Sequence, residues 1–279
     1  MTSSLHERPA TARGAQAAAV PVLMYHEISA EPLCVPRLAV TPDRFAEQLA
    51  FLRAGGYQTI TGAQLAAAVK SAVAGLPARP VVLTFDDGFA DFHDVALPLL
   101  REYGFTASLY VTSSWVAGER RRCHGGTPPG MLSWEQLRSI AAAGIEIGGH
   151  SLSHPQLDQL PADSLRQELS SNKHELEDKL GVAVAGLAYP FGYSSRLVRA
   201  TAAATGYEYG CVVGNRLAKA GCDPFALPRL TIGSSTRLPG FARTVAATSL
   251  PAVFARYRML TIGFSLLRHA RAARNRIAR

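Results

Sequence analysis

Short apolar runs alternate along the chain with longer segments that are apolar only at every third or fourth position. The runs at 20–26 ("VPVLMYH"), 57–61, 80–87 ("PVVLTFDD"), 106–114, 145–151, 185–190, 207–213 and 227–233 read as strands. The segments between them read as helices. The first spans 41–56, with Thr41 as N-cap, Phe45, Leu49 and Leu52 on one face, and a Gly55-Gly56 stop. Others follow at 62–75, 95–104, 133–144 (Ser133 as cap), 161–181 and 194–206. Strands that alternate with amphipathic helices predict a parallel sheet covered by helices. About seven such units in one chain favour a closed or nearly closed (β/α)7-type distorted barrel over an open doubly wound sheet. No repeat of the kind that builds solenoids or propellers is visible.

Composition narrows this picture. The chain has 279 residues, 48% of them hydrophobic, enough for one large domain with a full core. The four cysteines, Cys34, Cys123, Cys211 and Cys222, form no CxxC pair, which points to reduced thiols and away from a thiolate metal site. Residues 1–19 lack the apolar core of a signal peptide and read as a flexible leader, with the protein cytoplasmic. The barrel is expected over 20–240.

The net charge of +8 is unevenly placed. Residues 251–279 hold seven arginines and no acid, so the rest, with 22 basic and 21 acidic residues, is nearly neutral. Val253, Tyr257, Leu260, Phe264 and Leu267 recur there at helical spacing. Residues 241–279 therefore read as a basic helical extension, and 252–279 as an amphipathic segment suited to peripheral contact at the inner membrane face. A helix docked on the barrel with a solvated basic end accounts for the same pattern. Nucleic acid is not an expected partner, because no aromatic residues interleave the arginines and the rest of the chain is neutral.

Barrel enzymes carry their chemistry at the C-terminal ends of strands. His26, Asp86-Asp87, His150 and the stretch Tyr189-Pro190-Phe191-Gly192 all fall there. Two adjacent carboxylates repel and lose solvation as they near a core, so their pairing calls for a cause. His150 and His154, four residues apart in "GGHSLSH", can face one metal ion together. One carboxylate and two imidazoles leave positions open for water and substrate. The neighbouring carboxylate can then face the reacting water, while the cation offsets the repulsion.

At this point the sequence resembles the polysaccharide deacetylases with a NodB-type domain, carbohydrate esterase family 4. "TFDDG" (84–88) and "HSLSH" (150–154) match the first two motifs of that family, and "YPFG" (189–192) matches the third in part. The resemblance spans about residues 20–235 and is closest to the circularly permuted branch, similar to the poly-N-acetylglucosamine deacetylases. It implies that Asp86 is the catalytic base and that Asp87, His150 and His154 bind a divalent metal. Zinc is the first choice, with cobalt, nickel or iron as alternatives. The main-chain N–H of Phe191 would help hold the oxyanion formed when metal-bound water attacks an amide carbonyl. Two departures stand out: Ala188 replaces the third-motif arginine that orients the base, and the late histidine motif is missing. His26, at the end of an N-terminal strand, takes the general-acid role in the permuted arrangement. Arg229 is the candidate to replace the arginine.

Tyr189, Trp115 and Trp134 are candidate sugar contacts, the tryptophans because they flank a long Gly/Pro-rich segment; both could equally be core residues. Arg120-Arg121-Arg122 in that segment could meet an anionic group. Asp91, His93 and Asp94 are expected to cap or decorate the next helix. The expected activity is N-deacetylation of an amino sugar in a bacterial glycan or its precursor. A lipid-linked monosaccharide, deacetylated or deformylated, is the alternative substrate. A silent carbohydrate-binding protein on the same fold is the alternative of another class.

Overall fold

The computed structural model describes residues 19–32, 34–71, 75–118, 130–248 and 250–254. The leader up to residue 18, the Arg120–Arg122 segment with Cys123, and the extension beyond 254 lie outside the described residues. Strands and helices alternate as the pattern predicts: β1 (Val22–Tyr25), α1 (Pro42–Ala54), β2 (Gln58–Thr59), α2 (Gly62–Ser71), β3 (Pro80–Phe85), α3 (Leu97–Glu102), β4 (Ser108–Val111) and α4 (Trp134–Ala142). There follow β5 (Glu146–Gly149), α5 (Ala162–Leu180), β6 (Gly186–Ala188), α6 (Arg196–Ala204), β7 (Tyr209–Val213), β8 (Leu227–Thr231), α7 (Leu238–Val245) and α8 (Leu250–Val253).

All strand pairings are parallel, in the order β1-β8-β7-β6-β5-β4-β3, and β1 pairs with β3 to close the ring. The result is a seven-stranded barrel. The eighth strand, β2, stays outside it and joins only Pro80 and Val81 of β3. The N-terminal strand β1 thus sits between the barrel's first and last central strands, and brings His26 to the same rim as Asp86.

Helix ends follow local chemistry. Ser133 caps α4 in a reciprocal box with Gln136, and Ser195 accepts from the Val198 N–H to cap α6. Thr41 stands at the N-cap of α1 without a side-chain bond; Pro42 starts that helix instead. Gly181 ends α5 in the left-handed conformation. Helix α7 begins ahead of residue 241, and Phe241 is buried edge-on against Phe51 of α1, 5.9 Å between ring centroids. Among the described residues no helix is long and apolar enough to cross a membrane.

The strands are apolar on both faces, as a helix-covered parallel sheet requires. Outward residues such as Leu23, Leu83, Leu109, Ile147, Leu187 and Leu230 form one cluster with the helices. Inward residues form a second: Val22, Val82, Tyr110, Ala188, Tyr209, Cys211 and Leu227. Glycines make room for the tyrosines inside. A Cβ on Gly148 would lie 2.4 Å from the Tyr110 ring, and one on Gly186 would lie 2.2 Å from the Tyr209 hydroxyl. Tyr209 donates to Glu146 at 2.8 Å, and Tyr110 and Tyr209 share a 3.0 Å hydroxyl contact. The N-terminus of α2 closes the lower end: Gly62 N–H reaches Ser108 at 2.9 Å and Ala63 N–H reaches Glu146 at 3.3 Å.

Gly186→Ala is expected to destabilise the barrel by about 1–3 kcal/mol, because the methyl group must displace a bonded tyrosine. Urea unfolding checks this: the midpoint falls at constant m-value, and an unchanged midpoint would mean that the interior has slack.

Candidate active site

At the end of β3 the chain turns sharply. Asp86 N–H is fixed by the Tyr25 carbonyl of β1 at 3.1 Å, and Asp87 takes φ 76°, a left-handed conformation. The two neighbouring carboxylates therefore leave the backbone in different directions. Ser151, His154 and Phe191 are also left-handed (φ 65°, 61° and 61°), so four of the described non-glycine residues with positive φ cluster at this rim. Such strain gathers where surrounding structure holds it.

Asp86 is bound by Arg229 of β8, Nη1 to Oδ1 at 2.5 Å and Nη2 to Oδ2 at 2.7 Å. Arg229 is 1% exposed, with its guanidinium 5.6 Å from the centre of the Tyr110 ring. The expected substitute for the missing arginine thus reaches Asp86 from another strand, while Ala188 lies in the inner cluster. Burial pushes the Asp86 carboxyl up, but the Arg229 charge and hydrogen bonds, with His150 and His26, outweigh it and hold it below the usual range. His26 Nε2 lies 3.9 Å from Asp86 Oδ2, too far for a hydrogen bond and near enough to share one small group. His26 Nδ1 is buried with no hydrogen-bond partner.

Asp87 faces the other way. Its Oδ1 lies 3.3 Å from His150 Nε2 and 3.4 Å from His154 Nε2. Burial opposes ionisation there, yet His150, His154 and His26 together hold the carboxyl well below its ordinary value. His150 Nδ1 sits 2.8 Å from the Ala188 carbonyl, which accepts only from N–H, so the Nε2 lone pair of the neutral ring points at Asp87. Lone pairs that converge without protons need a cation. Without one, burial lowers the His150 pKa, but Asp86 and Asp87 outweigh it and draw a proton onto the ring. At His154 burial prevails, and the pKa falls to about 4.

The spacing fits a metal ion. Two ligand atoms each about 2.05 Å from a tetrahedral ion lie about 3.3 Å apart. The three candidate ligand atoms lie within 4.8 Å of one another, and Asp87 Oδ1 is buried without a hydrogen-bond partner. The donor set of one carboxylate and two imidazoles suits zinc and similar divalent ions.

Not every expected contact faces the opening. Tyr189 is fully buried, and its hydroxyl donates to the Phe225 carbonyl at 3.0 Å. Strand alternation explains the correction: Ala188 points inward, so Tyr189 points into the helix layer. Trp134 begins α4 and packs, half-buried, against the outer cluster. Trp115 is 9% exposed and lies against the His154 ring, centroids 5.0 Å apart, with Phe191 on the same ring at 4.8 Å. These two rings brace the His154 imidazole.

The sequence reading also missed Asn172. It stands with Leu165, Leu169 and Leu176 on the buried face of α5 and donates to the Val111 carbonyl at 3.1 Å. A lone amide on an apolar stripe was the available signal. Asp91 also does more than decorate a helix: it accepts from Ile28 N–H and so ties the β3 turn to the segment after His26.

Arg229→Met would leave Asp86 buried and unpaired. It is expected to cost about 3–5 kcal/mol in chelator-treated protein, and adding Asp86→Asn should recover much of that. Equal losses in the single and double variants by denaturant unfolding would contradict the pairing.

Residues 74–210 match the family model of polysaccharide deacetylases. YxkH of Bacillus subtilis (strain 168) is 26% identical over 216 residues, 77% of this chain and 72% of YxkH. The poly-beta-1,6-N-acetyl-D-glucosamine N-deacetylase of Escherichia coli (strain K12) is 28% identical over 135 residues, 46% of this chain but only 20% of that protein. The Streptococcus pyogenes deacetylase PplD, solved in complex with acetate, aligns with a TM-score of 0.72 at 25% identity, over 82% of this chain and 99% of its own. The family match spans both the strand that ends in Asp86-Asp87 and the loop that bears His150 and His154, so the part of the chain that carries the site is similar to a polysaccharide deacetylase domain.

Proposed function

We propose that the protein is a metal-dependent hydrolase that removes N-acetyl groups from the amino sugars of a glycan. The observation that carries this reading is the division of labour between Asp86 and Asp87. One carboxylate is paired with Arg229, and the other converges with two imidazoles on a point that suits a cation. A divalent ion held by Asp87, His150 and His154, with zinc ahead of cobalt, nickel or iron, would polarise the amide carbonyl and acidify water.

The chain's own groups do the rest. Asp86, kept ionised by Arg229, takes the proton of the attacking water at Oδ2. His26, on the opposite side at 3.9 Å, gives a proton from Nε2 to the leaving amine. One water between them would carry the proton from Asp86 back to His26 before the next cycle. The main-chain N–H of Phe191, in its left-handed turn, is the proposed donor to the oxyanion. Arg229 limits the basicity of Asp86 but fixes both of its oxygens, so orientation is gained at some loss of proton affinity.

The match to a poly-N-acetylglucosamine deacetylase supports N-acetylglucosamine oligomers as the first substrate class. The seven arginines after residue 255 favour lipid-linked sugars at the inner membrane face as the second.

Acetate release from N-acetylglucosamine oligomers tests the proposal. Wild type should turn over and stop when a chelator is added. Asp86→Asn should lose activity by at least about 10³-fold and His26→Ala by about 10²-fold. Turnover that is indifferent to chelator, or an Asp86→Asn protein as active as wild type, would overturn the mechanism. Chelator-insensitive binding of the oligomer with no turnover on any substrate would leave a carbohydrate-binding protein.

A further inference from the structure

The loop that carries the two histidines is held in an unfavourable shape. Ser151 and His154 have φ of 65° and 61°, each costing on the order of 1 kcal/mol for a residue with a side chain. The two residues between them, Leu152 and Ser153, are gripped by a single residue of α5. The Glu168 carbonyl accepts from Leu152 N–H at 3.0 Å. Its carboxylate accepts twice from Ser153: Oε2 from the N–H at 2.9 Å and Oε1 from the hydroxyl at 2.6 Å. The helix is itself tied to the barrel, through buried Leu165, Leu169 and Leu176 and through Asn172 on the Val111 carbonyl.

We propose that Glu168 is a positioning residue for the metal ligand His154: its carboxylate fixes Ser153 and thereby the direction in which His154 Nε2 points. The inference rests on the metal-binding reading of Asp87, His150 and His154. A carboxylate suits the task because it alone among side chains of this length offers two acceptors to the N–H and O–H of one residue. A glutamine offers one, and an alanine none. Glu168 is half-buried in the second turn of α5, so its truncation opens no core cavity. Other restraints on His154 survive its loss, namely the Ser151 Oγ that accepts the His154 N–H at 3.0 Å and the Trp115 and Phe191 rings. The effect is therefore partial, near the lower end of what outer contacts of metal ligands contribute.

The test is a cobalt(II) titration of chelator-stripped protein, followed by visible absorption, for wild type, Glu168→Ala, Glu168→Gln and Ser153→Ala. The dissociation constant is expected to rise about tenfold in Glu168→Ala and about threefold in the other two, with an altered absorption band in the first. Metal-free melting temperatures should stay within about 2 °C of wild type. Wild-type affinity and spectrum in Glu168→Ala overturn the inference, as does an affinity loss that only tracks a fall in metal-free stability. Should Glu168→Ala fail to fold, Ser153→Ala severs the hydroxyl arm from the other side and decides alone. A wild type that binds no cobalt overturns the metal reading and this inference with it, whereas cobalt bound equally by wild type and Glu168→Ala overturns this inference only.

Discussion

Two adjacent carboxylates at the end of one buried strand can coexist only if each has its own source of positive charge. That constraint organises the rim of this barrel. Asp86 has Arg229, delivered from β8 and bound through both nitrogens. Asp87 has two imidazoles whose acceptor atoms meet at the spacing of ligands around a tetrahedral ion. The left-handed turn at Asp87 separates the two partnerships, and the hydrogen bond from Asp86 to the β1 carbonyl of Tyr25 keeps them apart.

The fold supplies these partners from different elements. Closure of the barrel through β1 brings His26 opposite Asp86, and the glycines of β5 and β6 leave space for Tyr110 and Tyr209 beneath Arg229. The interior below the site is filled and hydrogen-bonded down to the N-terminus of α2. Charges at the upper rim are therefore screened by protein groups from below and by whatever occupies the opening above. In the proposed mechanism this rigidity would matter, because an oriented carboxylate and fixed candidate ligands would lower the reorganisation needed during proton transfer.

Much of this arrangement was legible in the chain. Alternating apolar runs and helical segments announce a parallel barrel, and polar residues stranded at run ends announce its rim. The candidate metal-binding set could be named because its members sit in two short motifs. What the sequence concealed has physical reasons. Strands that are apolar on both faces do not reveal which residues point inward, so Tyr189 looked like a contact for substrate and proved to belong to the helix layer. Two residues of β2 sit outside the ring because they pair only with the start of β3, a matter of register that composition does not encode. Glu168 looks like any charged residue on a solvated helix face; only the folded loop shows that it holds Ser153.

The proposed roles of both carboxylates depend on a cation binding at Asp87, which equilibrium dialysis against zinc tests most directly. Chelator-stripped wild type and Asp86→Asn should each take up a single ion per chain, while Asp87→Asn should bind zinc at least about tenfold more weakly. Equal zinc loss in the two asparagine variants would contradict the separation of roles, and a wild type that binds no zinc or other divalent ion would contradict the account as a whole.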